Sequence, residues 1–378
     1  MGSDFASTTR KLGFGLMRLP KLEDDPKTID VEQVKEMVDL FLDAGFTYFD
    51  TAYVYDNGAS EAAAKAALVD RHDRERYTIA TKLNAWLGNP DEASAKKQLD
   101  ISLERTGARY IDYYLLHALQ INNKETYENY GLWDFVREQK TKGLIRHWGF
   151  SFHATPEMLD ELLTKYDDAE FVQLQINYAD WDNPNIASRA CYEVARKHGK
   201  QIVVMEPVKG GMLASPPPMI QQLFREENKD ASFASWAIRY VAGMDGIITV
   251  LSGMSNLEQM KDNLSYMKDF QPLSPHEQSV IEKAQQIIAA SDAVPCTGCQ
   301  YCMEGCPANI MIPGVIRAIN ELRIYKDRPL AERRYAFSTM DGAGLAKDCV
   351  ACGQCEGACP QSLPVISLMQ EASGLFDQ

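Results

Sequence analysis

Along residues 11–270, short apolar runs alternate with stretches whose apolar positions return every three or four residues. The runs predict strands at Phe14–Met17, Thr47–Asp50, Tyr77–Lys82, Ile111–His117, His147–Phe150, Phe171–Gln175, Ile202–Met205 and Gly246–Leu251. Between them lie helical stripes. Val31, Val34, Val38 and Leu42 make one, Leu99 and Leu103 mark a second, and Ala187, Cys191, Val194 and Ala195 sit at i, i+4, i+7 and i+8. Strands alternating with helices in this number predict an α/β fold, a (β/α)8 TIM barrel. A doubly wound open sheet is the competing topology. No G-x-G-x-x-G follows the first strand, which counts against it. The loop after the seventh strand, Glu206 to Asp230, is long and holds Gly210, Gly211 and the run Pro216–Pro217–Pro218. Loops of that length on a compact barrel are usually functional or mobile. A helix from about Pro275 to Ala290 closes the region, and Cys, Gly and Pro then dominate. The expected domains are a barrel over 1–290 and a small second domain over 291–378.

Composition adds exclusions. The 378 residues suffice for a barrel of about 250 residues and one further small domain. At 45% apolar and 24% charged the chain reads as an ordinary globular protein. No stretch approaches 18 apolar residues, so no membrane span is expected. The start, MGSDFASTTRKL, has no apolar core of a signal peptide, which predicts a cytoplasmic protein. A net charge of −14 argues against a nucleic-acid partner.

Cysteine usage changes the picture most. Eight of the nine Cys follow residue 295. In a reducing compartment, crowded thiols point to metal more than to disulfides. Two segments share one pattern, C-x2-C-x2-C-x3-C-P: Cys296, Cys299, Cys302, Cys306, Pro307, and Cys349, Cys352, Cys355, Cys359, Pro360. Bacterial two-cluster ferredoxins use this run, the fourth Cys reaching the other cluster. Two [4Fe–4S] clusters are therefore expected, one on Cys296, Cys299, Cys302 and Cys359, the other on Cys349, Cys352, Cys355 and Cys306. Zinc is the alternative, but its sites usually combine paired C-x2-C knuckles rather than three evenly spaced Cys and a Cys-Pro. The spacer Ala308–Asp348 is long and includes a helical stretch over Val315–Leu322, so the small domain resembles the mainly α-helical ferredoxin-like type. Cys191, on an apolar stripe, reads as core.

The end of the second strand reads Asp50-Thr51-Ala52-Tyr53-Val54-Tyr55. It resembles the D-T-A-x-x-Y signature of aldo-keto reductases. Ala80-Thr81-Lys82, Leu115-Leu116-His117 and Leu251-Ser-Gly-Met-Ser-Asn256 follow in the family's order, so the resemblance covers about residues 11–270. It implies a catalytic tetrad of Asp50, Tyr55, Lys82 and His117, acting with NADP(H) or NAD(H) on a small-molecule carbonyl or alcohol. Elementary chemistry agrees. Barrel enzymes carry catalytic groups at the C-terminal ends of strands, and strand alternation can turn Lys82 inward. A buried ammonium needs a counter-charge such as Asp50, and beside Tyr55 it would lower a phenol pKa that is otherwise too high for proton transfer. Singly, each residue reads as packing, and Asp50–Lys82 as a structural ion pair.

The resemblance also implies cofactor contacts. Ser151 and Gln173 match the pair that holds the carboxamide. Phe152 stands where an Asn is usual, with His153 as its substitute. Met205 takes the place of the aromatic residue that stacks on the nicotinamide, and Asn263 that of an adenine contact. Gly253 and Gln259 replace basic residues that grip the 2′-phosphate, which leaves NADP preference open, with Lys209 or an exposed Arg as replacements. Tyr53, Trp86, Tyr178 and Trp181 are candidates for the pocket mouth. Three functions compete: a reductase whose clusters exchange electrons with a ferredoxin or flavoprotein partner, an electron-transfer module with a flavin or redox partner, and a reductase whose clusters are structural only. Hydride carries two electrons and a [4Fe–4S] centre takes one, so the first needs a device that splits the pair.

Overall fold

The computed structural model describes residues 9–25, 27–85, 91–184, 186–340 and 342–377. Eight parallel strands close into a barrel in chain order. They are β1 (Leu12–Gly15), β2 (Tyr48–Asp50), β3 (Thr78–Leu83), β4 (Ile111–Leu119), β5 (Ile145–Phe152), β6 (Phe171–Gln175), β7 (Gln201–Met205) and β8 (Ile247–Ser252). The expected (β/α)8 architecture is the one observed. The first strand is the exception: it sits two residues earlier than the apolar run Phe14–Met17 predicts. Leu16–Arg18 forms a 3-10 turn instead, because β1 pairs with β8 only from Leu12↔Val250 to Phe14↔Ser252 and the chain then leaves the sheet.

The helices that matter here are α1 (Val31–Asp43), α2 (Ala59–Ala64), α3 (Glu92–Thr106) and α4 (Leu257–Met267). Val34, Met37, Val38, Phe41 and Leu42 of α1 are buried, and Asp30 caps the helix by accepting from Gln33 N at 3.0 Å. Tyr48, Ala80, Tyr113, Leu115, Phe171, Val203, Ile248 and Leu251 cluster in one core. The barrel is thus plugged by side chains and leaves only its strand ends for chemistry.

Two compact units result. One runs through Pro207 and resumes over Ala234–Ser274; the other joins Val208–Phe233 to the chain from Pro275 onward. The long loop after β7 is therefore structured: Lys209–Ala214 is a 3-10 segment and Pro218–Glu227 a helix. In the second unit α5 (Ile312–Tyr325), α6 (Arg328–Ser338) and α7 (Val365–Phe376) surround a core that includes Val315, Ile316, Ile319, Leu368 and Met369. The amide of Asn320 bonds both the N–H and the carbonyl of Val294, at 2.7 and 2.8 Å, and ties the first cysteine run to α5. Among the described residues, no helix is long and apolar enough to cross a membrane.

Candidate active site and cysteine cavities

Asp50 is the last residue of β2, and Lys82 and His117 lie near the ends of β3 and β4. All three are buried, Lys82 with 0% exposure. Its ammonium uses its three protons locally: it donates to Asp50 Oδ1 at 2.5 Å, to the Thr51 carbonyl at 2.7 Å and to the Tyr55 hydroxyl at 3.2 Å. The Tyr55 and His117 rings meet edge to face, 5.8 Å apart. The four residues singled out from sequence thus form one cluster. Burial pushes the Lys82 pKa down against the pull of Asp50, and pushes Asp50 up. His117 is driven well below the usual imidazole range, first by burial, then by the Lys82 and His153 charges. It is therefore neutral at pH 7 and keeps one N–H to donate. Burial holds His153 down at about 4. His153 thus lies close enough to His117 to influence it, a relation that sequence spacing alone did not suggest.

Ser151 and Gln173 face each other across the β5–β6 pair. Ser151 Oγ accepts from Ala118 N at 2.6 Å. Gln173 Oε1 is buried with no hydrogen-bond partner. A buried amide oxygen without a donor is costly, so this position fits a ligand that brings an N–H, as a carboxamide does. Met205 ends β7 half-buried. Gly253 follows β8, and a Cβ there would meet nothing closer than 3.9 Å, so the backbone is open to a close approach. Gln259 is exposed in the first turn of α4, where its Oε1 accepts from Ser255 N at 2.8 Å while its own N–H bonds Asn256 at 2.9 Å. Asn263 is buried, its amide donating to Ser252 Oγ at 2.6 Å and its oxygen accepting from Tyr266.

The aromatic candidates divide. Tyr53 lies under Arg105, the guanidinium 4.4 Å from the ring centre. Tyr178 is buried, and Trp181 packs with Tyr192 and Tyr240 at 5.6 and 6.3 Å. These two belong to an aromatic cluster with Tyr240, and in the same loop Asn177 and Asp180 hydrogen-bond each other. Trp86 lies outside the described residues. Sequence reasoning overlooked Glu61 and Arg105. Glu61 is wholly buried six residues after Tyr55 and bonds Thr81 on β3; the only signal was an acidic residue amid alanines.

In the second unit the thiols ring two cavities. Cys296, Cys299, Cys302 and Cys359 line one, and Cys306, Cys349, Cys352 and Cys355 line the other. Ile312 lines both. The Cys302 thiol is pushed up by burial and by Cys299, Cys296 and Cys359 beside it, so the crossover of Cys359 is felt electrostatically too. Among the described residues, no three His, Cys, Asp or Glu side chains close in as a site for a single metal ion. The donor set is all thiol, arranged four around each void, and fits a cluster larger than one ion.

Comparison with known proteins agrees with both halves. The model of the aldo/keto reductase family matches residues 11–286, and a 4Fe-4S dicluster domain matches residues 295–363. An uncharacterized oxidoreductase of Bacillus subtilis, YqkF, is 24% identical over 68% of this chain and 89% of its own length. Human aflatoxin B1 aldehyde reductase member 4 is 24% identical over 73% of this chain and 93% of its own. Among solved structures, the holo form of aldo-keto reductase AKR11C1 from Bacillus halodurans superposes with a TM-score of 0.59 at 28% identity, covering 72% of this chain and 91% of that one. An aldo/keto reductase from Klebsiella pneumoniae, solved with NADP and acetate, shares the fold at a TM-score of 0.58 and 19% identity, over 73% of this chain and 92% of that one.

Proposed function

This chain belongs to the aldo/keto reductase family, and we propose that it interconverts a small-molecule carbonyl and its alcohol with NADPH or NADH, and carries two [4Fe–4S] clusters in its second unit. The observation behind the reading is the Lys82 ammonium, shared among Asp50, the Thr51 carbonyl and the Tyr55 hydroxyl. Because the phenol oxygen accepts from Lys82, its own O–H is the group that can donate onward. Tyr55 gives its proton to the substrate oxygen, and the adjacent cation stabilises the phenolate left behind. Neutral His117 donates a hydrogen bond to that oxygen as negative charge develops on it. Asp50 keeps the ammonium charged and in place. When bound, the reduced nicotinamide supplies the hydride to the carbonyl carbon.

Ser151 and the partnerless Gln173 oxygen would hold the carboxamide. Met205 would pack against the ring, while Gly253, Gln259 and Asn263 would take the phosphates and adenine around the N-terminus of α4. Cys296, Cys299, Cys302 and Cys359 would ligate one cluster, and Cys306, Cys349, Cys352 and Cys355 the other. Clusters held there would supply one-electron exchange with a ferredoxin- or flavoprotein-type partner, and coupling that exchange to hydride transfer would require a further group that splits the electron pair.

Tyr55→Phe tests the reading. It should lower kcat by at least about a hundredfold, the scale of general acid catalysis, with dinucleotide affinity retained. Turnover at the wild-type level in that variant would sink the assignment.

A further inference from the structure

Neighbouring residues at the ends of β2 and β3 serve two faces. Asp50 and Lys82 turn into the barrel and pair, while Thr51 and Thr81 turn toward the helix layer, as strand alternation requires. Thr51 Oγ1 lies 2.7 Å from Ser60 Oγ, which donates to the Leu16 carbonyl at 2.9 Å. Thr81 Oγ1 donates to Glu61 Oε1 at 2.7 Å. The far oxygen of Glu61 faces Arg105 at 3.4 Å, and Arg105 also donates to the Tyr53 carbonyl at 3.1 Å. The segment carrying Tyr55 is therefore tied down on both sides, at Tyr53 by Arg105 and at Ser60–Glu61 by the two threonines.

What is tied down is a left-handed turn. Asp56, Asn57 and Gly58 have φ of 52°, 53° and 88°, three left-handed residues in a row directly after Tyr55. Asp, Asn and Gly are the residues that enter this region most readily, so the sequence favours the turn locally, and Lys21 pairs with Asp56 from outside it. At Gly58 a Cβ would come 2.7 Å from the Arg105 Cζ. Glycine there lets the guanidinium lie against the turn. Stability alone does not account for the pair. Glu61 has 0% side-chain exposure and Arg105 31%, and a buried carboxylate with an ionic contact at 3.4 Å gains little over an apolar replacement.

We propose that Glu61, acting through Thr81 and Arg105, is a positioning residue for Tyr55: its carboxylate holds the left-handed turn that aims the phenol at Lys82. The proposal rests on the reading of Tyr55 as proton donor. Charge acts alongside geometry, since Glu61 raises the Lys82 pKa and so helps keep the ammonium protonated.

Glu61→Gln is close in shape and preserves an acceptor for Thr81. It is to be made in the full-length, cluster-loaded protein with tyrosines labelled at the ring carbon that bears the hydroxyl, the Tyr55 signal being assigned with Tyr55→Phe. If the turn no longer aims the phenol at Lys82, Tyr55 loses part of the cation that favours its phenolate, so its titration should move up by at least about half a pH unit, opposite to the downward move that removal of an anion alone would give. The kcat should fall at least about tenfold, with KM and dinucleotide Kd within about twofold of wild type. Arg105→Met should reproduce the loss in kcat and Arg105→Lys should restore most of it. If Glu61→Gln lowers only Tm and leaves the Tyr55 titration and kcat at wild-type values, the carboxylate is structural and the proposal fails. Should Glu61→Gln fail to fold, Arg105→Met decides: an unchanged Tyr55 signal and kcat there overturns the proposal. Full turnover in Tyr55→Phe would instead defeat the proton-donor reading, and the spectroscopic titration would still report on positioning.

Discussion

Lys82 and His117 sit side by side in one buried cluster and respond to burial in the same direction, each toward its neutral form. For His117 the Lys82 charge adds to burial, whereas for Lys82 the Asp50 carboxylate opposes it. The consequence for stability has a definite sign. His117 and His153 both have folded pKa values below the unfolded value of about 6.5, with His153 near 4. Below pH 6.5 the unfolded chain binds more protons at these positions than the folded one. Their contribution is thus fully present above that pH and is lost progressively as pH falls, for His153 down to about 4. Tm should therefore decline between pH 6.5 and 4, and His153→Gln should flatten part of that decline. A variant with the same slope as wild type would show that His153 is solvated. Cofactor choice is decided at this scale too. Gly253 and Gln259 bring no cation, so NADPH should be preferred over NADH by less than about a thousandfold, some 4 kcal/mol, in paired Kd measurements. A larger preference would expose another basic contact.

Between strands, backbone closeness sets the tolerance to change. Gly149 of β5 lies so near β6 that a Cβ would come 2.2 Å from the Phe171 carbonyl oxygen. That atom belongs to the ladder and cannot swing aside, so Gly149→Ala should destabilise the barrel by at least about 2 kcal/mol, read from the denaturant midpoint at constant m. Gly143→Ala, where nothing lies within 4 Å but φ is +77°, provides a comparison governed by strain alone. A Gly149→Ala variant as stable as wild type would mean that β5 and β6 move apart readily. Elements with strong periodicity are legible in the sequence. Seven strands overlap their predicted runs closely, and the helix expected near Pro275–Ala290 is Pro275–Ala289. What escapes has physical reasons. The first strand is displaced because Leu16 and Met17 continue the apolar run after the sheet pairing has ended. Helix α6 is hidden because Arg, Glu and Pro crowd Arg328–Ser338 and leave little apolar stripe. The grouping of Asp50, Tyr55, Lys82 and His117 is legible through the resemblance to aldo-keto reductase motifs, three of whose residues fall at or near strand ends. Glu61 and Arg105 are not, since their meeting depends on how α2 and α3 pack together.

At the scale of the whole chain, the feature that organises the cysteine region is where its thiols cross over. Cys306 and Cys359 are 53 positions apart, and each lines the cavity whose other three cysteines come from the opposite run. Each cluster would then cross-link both halves of the cysteine region as well as serve as a redox centre. The unfolded chain offers no preformed ligand set, so metal binding and folding of this region are coupled. The barrel, by contrast, owns a continuous side-chain core around its strands. Removing iron with a chelator under air should therefore raise amide exchange across 291–378 while the strands β1 to β8 stay protected. Intact protein prepared without oxygen should hold about eight iron atoms per chain, as two four-thiolate clusters require. Cys359→Ala should disturb the cluster on Cys296, Cys299 and Cys302, and Cys306→Ala the one on Cys349, Cys352 and Cys355, each followed by Mössbauer spectra and iron content. Four iron atoms, zinc in their place, or a Cys359 substitution that perturbs only its own run would contradict the crossed arrangement. Uniform loss of protection through both units on iron removal would contradict the independence of the barrel core.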